Sequence, residues 1–197
     1  MRLIFASNNQ HKIEELKAFC GKEIEIVSLK DAGIDIDIPE PHNTLEENAS
    51  KKSWTIYKLT GNGCFSEDTG LEIEALDGEP GVKSARYAGE ARSFKDNIEK
   101  VLNKLANQTN RNARFRAVIS LIIEGKETQF EGICTGKLID IPQGTEGFGY
   151  DPIFIPDGSN RSFAEMSILE KNQFNHRTKA AAKLVAFLQN MKTNSTN

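Results

Sequence analysis

Cysteine is scarce in this chain of 197 residues. Cys20, Cys64 and Cys134 are odd in number and stand far apart in the sequence. No CxxC pair or zinc-binding spacing occurs, which argues against both a disulfide framework and a zinc site. We therefore expect reduced cysteines that serve mostly as small buried hydrophobic side chains.

Long apolar runs are also missing. No window approaches the roughly 18 consecutive apolar residues that a transmembrane helix needs, so we expect no membrane partner. The opening MRLIFASNNQHK contains an apolar run of only four residues, which is too short for a secretory signal. The sequence therefore favours a cytoplasmic location.

An excess of positive charge is absent as well. Lysine and arginine number 25 against 28 aspartates and glutamates, which gives a net charge of −3 with neutral histidines. Proteins that bind nucleic acid neutralise many backbone phosphates with cations, so we expect no nucleic-acid partner. A small phosphorylated ligand stays compatible, because a few local cations suffice for it.

What the chain does contain is an alternation of strand and helix patterns. A buried strand at Arg2–Ala6, a helix near Lys12–Phe19 and a strand at Glu23–Leu29 are predicted. Strand, helix and strand at this spacing indicate an α/β core. Thr44, followed by Glu47 in capping-box spacing, predicts a helix that runs to about Leu59.

The remaining pattern predicts one elongated α/β domain over residues 1–197, with a long antiparallel hairpin and two lobes around a cleft. Ser93 predicts a helix over Phe94–Leu105, and Lys192–Asn197 is expected to fray. The other expected elements are a strand end at Cys64–Ser66, a loop at Glu67–Gly70, strands at Leu71–Leu76, Ala113–Glu124 and Glu127–Ile141, and a helix near Phe174–Met191.

A polar loop joins the first predicted strand to the first helix. Backbone N–H groups and the helix dipole favour anions at such a position. Hydroxyl, amide and ammonium groups suit phosphate oxygens. Helix capping by Ser7 or Asn9, with a solvated Lys12, is the alternative interpretation. The loop consists of Ser7, Asn8, Asn9, Gln10, His11 and Lys12, and no Walker A pattern occurs.

Carboxylates form a second candidate site. Glu40 lies in a proline-bracketed loop, while Glu67 and Asp68 follow an apolar segment. Mg²⁺ prefers one or two carboxylates together with phosphate oxygens and water. A solvated turn is the alternative for the adjacent pair, and Glu46 and Glu47 fit ordinary helix N-terminal charge.

Two segments offer groups that suit a nucleobase. The glycine-rich stretch Gly144–Asp151 presents Phe148 and Tyr150 as flat faces for stacking, although a structural turn is the alternative. Lys171, His176 and Arg177, near the start of the last predicted helix, suit acceptor atoms on a base. A basic, solvated helix edge is the alternative for these three residues.

Taken together, these segments resemble the inosine triphosphate pyrophosphatase family over nearly the whole chain. The resemblance implies a mixed, strongly twisted sheet with helices on its faces, two lobes with a central cleft, and a homodimer, for which the exposed apolar and aromatic content expected near Arg86 and Tyr87 is a second reason. The motifs that carry it are SNNQHK at 7–12, ENA at 47–49, EDTGL at 67–71, PGVKSARYAG at 80–89, GFGYDPIF at 147–154, FAEM at 163–166, EKN at 170–172 and HR at 176–177.

The resemblance further implies Mg²⁺-dependent hydrolysis of ITP, dITP or XTP to the monophosphate and pyrophosphate, which cleanses the nucleotide pool. By position, Asp68 is the catalytic base and a metal ligand, and Thr69 contacts substrate. Glu40 matches the second metal ligand, and Glu67 stays open as the alternative for that role. The triphosphate would be held by residues 7–12. The base would be recognised by Phe148, Gly149, Tyr150, Asp151, Lys171, His176 and Arg177.

The sequence departs from the family pattern at three polar positions. Glu67 replaces a common Asp, Thr69 a common Ser, and Asn175 a common Ser. All three keep oxygen or polar character, so we expect the activity to be preserved. Two other functions stay open at this point: a septum-formation-inhibitor-type pyrophosphatase for modified pyrimidine nucleotides, and a non-enzymatic nucleotide-binding module.

Overall fold

The computed structural model describes residues 1–21 and 24–194, and the chain falls into two compact units. The first unit contains Met1–Asp68, Ala117–Gly132 and the residues from Arg177 onward. The second unit contains Thr69–Arg116 and Ile133–His176. Each unit has its own hydrophobic core.

Within the described residues, seven strands form one mixed sheet. They are β1 (Arg2–Phe5), β2 (Glu25–Ser28), β3 (Cys64–Ile73), β4 (Pro80–Gly81), β5 (Asn112–Ile123), β6 (Lys126–Leu138) and β7 (Phe154–Pro156). The strand order is β2-β1-β3-β5-β6-β7, and β4 pairs with β3. Strand β1 runs parallel to β2 and β3, whereas the β3–β4 and β6–β7 pairs are antiparallel. The prediction of a mixed α/β sheet is confirmed.

The described residues contain the α-helices α1 (Gln10–Cys20), α2 (Leu45–Thr60), α3 (Phe94–Leu105), α4 (Ile168–Lys171) and α5 (His176–Asn194). The sequence predicted four of these helices, with ends that differ by up to three residues, and did not predict α4. Helix α5 begins two residues after Phe174 and continues through the first part of the predicted tail. Residues 195–197 of that tail, and Glu23 at the predicted start of the second strand, lie outside the described residues.

The first unit buries both faces of β1. Leu3 and Phe5 pack with residues of α1 and α5, while Ile4 packs in a separate cluster with Ile56 of α2. Successive strand side chains point to opposite faces, so a strand buried on both sides reads as a continuous apolar run. Phe5 also stacks on Phe65 of β3, with ring centroids 4.7 Å apart.

The second unit has a core rich in aromatic rings. Phe115 of β5 lies 4.7 Å from Phe154 of β7 in an edge-on arrangement, measured between ring centroids. Val101 and Leu105 close this core from α3. The helix predicted from the Ser93 cap is therefore held in place by apolar side chains at helical spacing.

Tyr87 belongs to this second core, which corrects one expectation. A surface of exposed aromatic residues near Tyr87 was the residue-level reason to expect a homodimer. Instead, the ring is buried, its hydroxyl donates to Glu79 at 2.6 Å, and the Lys100 ammonium lies 4.5 Å from the ring centroid. The chain covers this side chain itself, so the homodimer stays a prediction that rests on the resemblance.

The predicted loop at Glu67–Gly70 is wrong. These residues continue strand β3, and Glu67 and Asp68 are 1% and 6% exposed. Two adjacent carboxylates normally require water, which is why the sequence favoured a turn. In the folded chain, Arg177 binds Glu67 and Lys52 binds Asp68 in place of that water.

The three cysteines are buried thiols, as predicted. Burial raises the pKa of Cys20 to about 11 and that of Cys64 to about 12. No helix among the described residues combines the length and apolar character needed to cross a bilayer.

Candidate active site

The loop after β1 forms a regular helix N-terminus. The Asn9 side chain accepts from the Lys12 backbone N–H at 3.3 Å, and the Ser7 hydroxyl oxygen accepts from the Asn9 N–H at 3.2 Å. The Asn8 amide donates to the Ile36 carbonyl at 3.1 Å. Capping by Asn9 is therefore present, and the first turn of α1 carries no acidic side chain. The first turn itself therefore adds no negative charge that would oppose an anion at this helix end.

Glu40 lies at the end of a segment that carries three alternating isoleucines. Ile34, Ile36 and Ile38 pack against the core cluster that contains Ile56. Buried Asn48 of α2 then holds the backbone of His42, accepting from its N–H at 3.0 Å and donating to its carbonyl at 3.2 Å. The alternating isoleucines and this amide together position the Glu40 loop.

Lys52 joins Glu40 to Asp68. Its ammonium donates to Glu40 Oε1 at 2.5 Å and to Asp68 Oδ1 at 2.8 Å. The lysine is only 6% exposed. Sequence analysis missed this residue, although a signal exists. Lys52 follows Ala49 by three residues and precedes Ile56 by four, so it lies in the buried stripe of α2.

Glu67 points to the opposite face of β3, because successive strand side chains alternate. The Arg177 guanidinium donates to Glu67 through Nε at 3.1 Å and Nη2 at 3.2 Å. The same guanidinium donates to Glu15 of α1. The Lys12 ammonium lies 3.3 Å from Glu67 Oε2. Glu40 therefore shares the Lys52 ammonium with Asp68, whereas Glu67 pairs with Arg177 and Lys12.

Burial sets the proton affinities of this cluster. It raises the pKa of Asp68 even though Lys52 and Lys12 attract the charged carboxylate. Burial likewise lowers the pKa of Lys12 despite the attraction of Glu67. Lys52 behaves differently. Burial favours its neutral form, but Asp68 and Glu40 outweigh that effect and raise its pKa. The cluster thus combines a firmly charged ammonium with a carboxylate of increased basicity.

In the second unit, Asp151 binds the backbone of the glycine-rich loop. Asp151 Oδ2 accepts from the Phe148 N–H at 2.8 Å and from the Lys171 ammonium at 2.6 Å. The same ammonium lies 4.9 Å from the centroid of the Phe148 ring. A Cβ added at Gly147, where φ is +73°, would lie 2.1 Å from Asp151 Oδ2. This position therefore requires glycine for both its conformation and its space.

Three other predicted site residues of the second unit, Thr69, Tyr150 and His176, contact groups within that unit. The Thr69 hydroxyl donates to the Arg116 carbonyl at 2.9 Å. The His176 ring stacks on Phe115 with centroids 4.9 Å apart. The Tyr150 ring is 4% exposed and its hydroxyl donates to the Ser84 carbonyl at 2.9 Å. The expectation of an open stacking face is therefore corrected at Tyr150, whose ring belongs to the core, while Phe148 is half-buried.

The donor set around Asp68 fits Mg²⁺. Across the described ranges, no group of three or more His, Cys, Asp or Glu side chains is arranged to hold a metal ion. However, Glu40 and Asp68 both reach one ammonium, so two carboxylates converge on the same small volume. Mg²⁺ takes one or two carboxylates and completes its shell with phosphate oxygens and water.

The chain thus combines a mixed α/β sheet with a cluster of lysines and carboxylates in its first unit, an arrangement compatible with a protein that binds phosphorylated ligands. The chain belongs to the Ham1 family, whose family model matches residues 3–187. The resemblance seen in the sequence motifs is thereby confirmed.

Individual relatives match over almost their full length. The chain is 48% identical over 190 residues to the dITP/XTP pyrophosphatase of Flavobacterium psychrophilum, covering 96% of this chain and 100% of that protein. It is 47% identical over 188 residues to the dITP/XTP pyrophosphatase of Porphyromonas gingivalis, covering 95% and 97%. Among solved structures, the Ham1 protein of Staphylococcus aureus matches with a TM-score of 0.87 and 40% identity, covering 97% of this chain and 100% of that one.

Proposed function

We propose that this chain is a hydrolase that converts non-standard purine nucleoside triphosphates (ITP, dITP and XTP) to the monophosphate and pyrophosphate. Family membership and the activity named for its relatives support this function. The structural observation that carries it is the Lys52 ammonium held by Glu40 and Asp68 inside the first unit. Buried carboxylates and lysines in contact are what phosphoryl chemistry uses for proton transfer and charge neutralisation.

In the proposed reaction, water adds across the bond between the α- and β-phosphates. Asp68 accepts a proton from the attacking water as the general base. The bond between the α-phosphorus and the bridging oxygen breaks, and the pyrophosphate leaves with the electron pair of that bond. Lys12 and Lys52 provide positive charge for phosphate oxygens, and residues 7–12 hold the chain of phosphates at the α1 N-terminus.

We propose that Glu40 and Asp68 hold Mg²⁺. When bound, the ion supplies neutralisation of the negative phosphate oxygens. Calorimetric titration of Mg²⁺ into the nucleotide-free protein tests this assignment without reference to activity. Glu40→Gln and Asp68→Asn should each weaken the binding, whereas Asp35→Asn, which changes an exposed carboxylate, should leave it unchanged. Equal binding by all of these variants would contradict the assignment.

Base recognition is proposed for the second unit's loop together with Lys171 and His176. Hypoxanthine and xanthine carry an acceptor oxygen at position 6, where adenine carries an amino donor. Donor side chains therefore favour the first two bases and oppose the third. Arg177 is a further predicted donor. In this structure its guanidinium bonds to Glu15 and Glu67, so contact with a base would require it to exchange one of these carboxylates.

Pyrophosphate release from a panel of nucleotides tests the proposed function. With Mg²⁺ present, we expect rapid release from ITP, dITP and XTP and slow release from ATP and GTP. Preferential hydrolysis of modified pyrimidine triphosphates would instead support the septum-formation-inhibitor-type enzyme. Nucleotide binding without Mg²⁺-stimulated hydrolysis of any substrate would support a non-enzymatic binding module.

A homodimer is proposed on the resemblance alone. Sedimentation at micromolar concentration should show a species of about twice the monomer mass. A monomer throughout this range would contradict the proposal.

A further inference from the structure

Glu127, at the start of β6, is bound by an unusual number of donors. Its Oε2 accepts from the Ser50 hydroxyl at 3.0 Å and from the Trp54 indole N–H at 2.7 Å. Its Oε1 accepts from the Ser120 hydroxyl at 2.8 Å and from the Gln129 amide at 2.9 Å. Partial burial raises the pKa of Glu127, but the four hydrogen bonds outweigh burial and lower it. Each carboxylate oxygen therefore has two partners.

Two of these partners lie on helix α2 and share one face of it. Ser50 and Trp54 are four residues apart, and Ser53, which lies between them, contacts the Ser120 hydroxyl at 2.5 Å. Residues at this spacing project from the same side of a helix. Glu127 and Ser120 thus attach one side of α2 to strands β5 and β6.

Lys52 projects from the other side of the same helical turn. It follows Ser50 by two residues, which is about 200° around the helix axis. A side-chain tip lies roughly 6 Å from the axis, so a rotation of about 10° would move the tip by about 1 Å. The Lys52 ammonium contacts Glu40 and Asp68 at 2.5 and 2.8 Å. The rotation of α2 therefore determines whether both contacts are made.

We propose that Glu127 is a positioning residue, which fixes the rotation of α2 and thereby the placement of the Lys52 ammonium against Glu40 and Asp68. The proposal rests on the role that the proposed function gives to Lys52. Glu127 itself touches neither of these carboxylates and serves only as the anchor on the far side of the helix.

A double-mutant cycle between Glu127→Ala and Lys52→Ala tests this coupling. E127A should lower kcat for dITP by about tenfold with little change in KM, because Lys52 acts in the chemical step. In a K52A background, E127A should cause no further loss, since the residue through which it acts is gone. E124A, which removes an exposed carboxylate from the same hairpin, should match the wild type.

Two further measurements separate positioning from simple stabilisation. E127Q should retain kcat within about twofold, because the glutamine carbonyl still accepts from Ser50 and Trp54 while its amide can donate to the Ser120 hydroxyl. Trp54 is the one tryptophan of the chain. Its fluorescence should therefore report the altered indole environment in folded E127A and remain near wild type in E127Q.

Several outcomes would overturn the proposal. Equal losses from E127A in the wild-type and K52A backgrounds would mean that Glu127 acts independently of Lys52. A lower melting temperature with unchanged kcat would mean a purely structural role. Wild-type activity in K52A would remove Lys52 from the mechanism and the positioning role with it. If the wild-type protein hydrolyses no nucleotide, the proposed function itself is refuted. If the wild type is active but the free-energy effects of E127A and K52A simply add, only the positioning role of Glu127 is refuted.

Discussion

The two units of this protein build their candidate sites by different means. In the first unit, buried Lys52 and Arg177 and half-buried Lys12 pair with four carboxylates. In the second unit, one ion pair between Lys171 and Asp151 holds a loop of glycines and aromatic rings. The first arrangement depends on charge and the second on shape. Variants that change charge without changing size should therefore affect the first site most, and variants that add volume should affect the second.

The largest effect is expected for Asp68→Asn. The amide keeps the size of the side chain but cannot accept the proton of the attacking water, so kcat should fall roughly 10²–10⁴-fold at saturating Mg²⁺. Stability should change little, because burial already disfavours the charged carboxylate of Asp68 in the folded protein. Steady-state kinetics and the melting temperature of the metal-free protein measure the two quantities.

Asp35→Asn is the matched control for this change, since Asp35 is an exposed carboxylate of the same unit. It should keep wild-type kcat. If D68N retained activity within about threefold of wild type, Asp68 could not be the general base.

The next effect is on stability and concerns Arg177→Ala. This change leaves Glu15 and Glu67 buried without the guanidinium that binds both. Breaking a buried ion pair in this way costs about 3–5 kcal/mol of unfolding free energy, which urea denaturation measures. Arg161→Ala is the control. Its partner Glu170 lies at the surface, so stability should barely change.

The same variant distinguishes two roles for Arg177 in catalysis. If Arg177 reads the base, the preference for ITP over ATP should fall, because one charged hydrogen bond is worth about 1.5–3 kcal/mol. If it only orders the first-unit cluster, activity on both substrates should fall by the same factor. A loss of less than about 1 kcal/mol in stability would contradict the buried network itself.

A smaller effect is expected in the second unit for Gly147→Ala. The new Cβ would lie 2.1 Å from Asp151 Oδ2, and overpacking of this kind costs about 1–3 kcal/mol. Gly149→Ala is a close control. Gly149 also has positive φ, but an added Cβ there meets no described atom within 4 Å. Thermal unfolding should show that G147A is less stable than G149A. Equal stability of the two variants would mean that the loop shifts to accommodate the added methyl group at no cost.

The smallest effect concerns the thiols of the first unit. Burial raises the pKa of Cys20 to about 11 from an ordinary value of 9.0. The folded state therefore binds more protons than the unfolded state between these values, and the free energy of unfolding should fall as pH rises through this window. Alkylation of the native protein at pH 8 should be slow, because the thiolate is the reactive form. Rapid alkylation without unfolding would contradict the burial of these thiols.

Sequence patterns predicted most of the longer elements and missed the short elements α4, β4 and β7, and two further errors fall where charge is buried. The cap at Ser93 predicted α3 with its observed ends. In contrast, Glu67 and Asp68 suggested a loop, because a hydropathy pattern treats adjacent carboxylates as solvated. Lys52 was missed for the same reason: a lysine in a helix reads as surface unless its partners are known. Residue chemistry and motif resemblance both named Asp68 and Glu40 as candidates, and their roles stay a prediction.

The sequence by itself determined the α/β alternation, the positions of four helices, the buried thiols and the family, because these follow from local periodicity, capping and motif order. Only the tertiary structure decided which charges meet. The partners of Lys52 are separated from it by 12 and 16 positions along the chain, and Arg177 and Glu67 by 110. Local patterns carry no information about such distant pairs. A buried ion pair forms only when folding removes both partners from water together, so its members become recognisable once the strands and helices that carry them have packed.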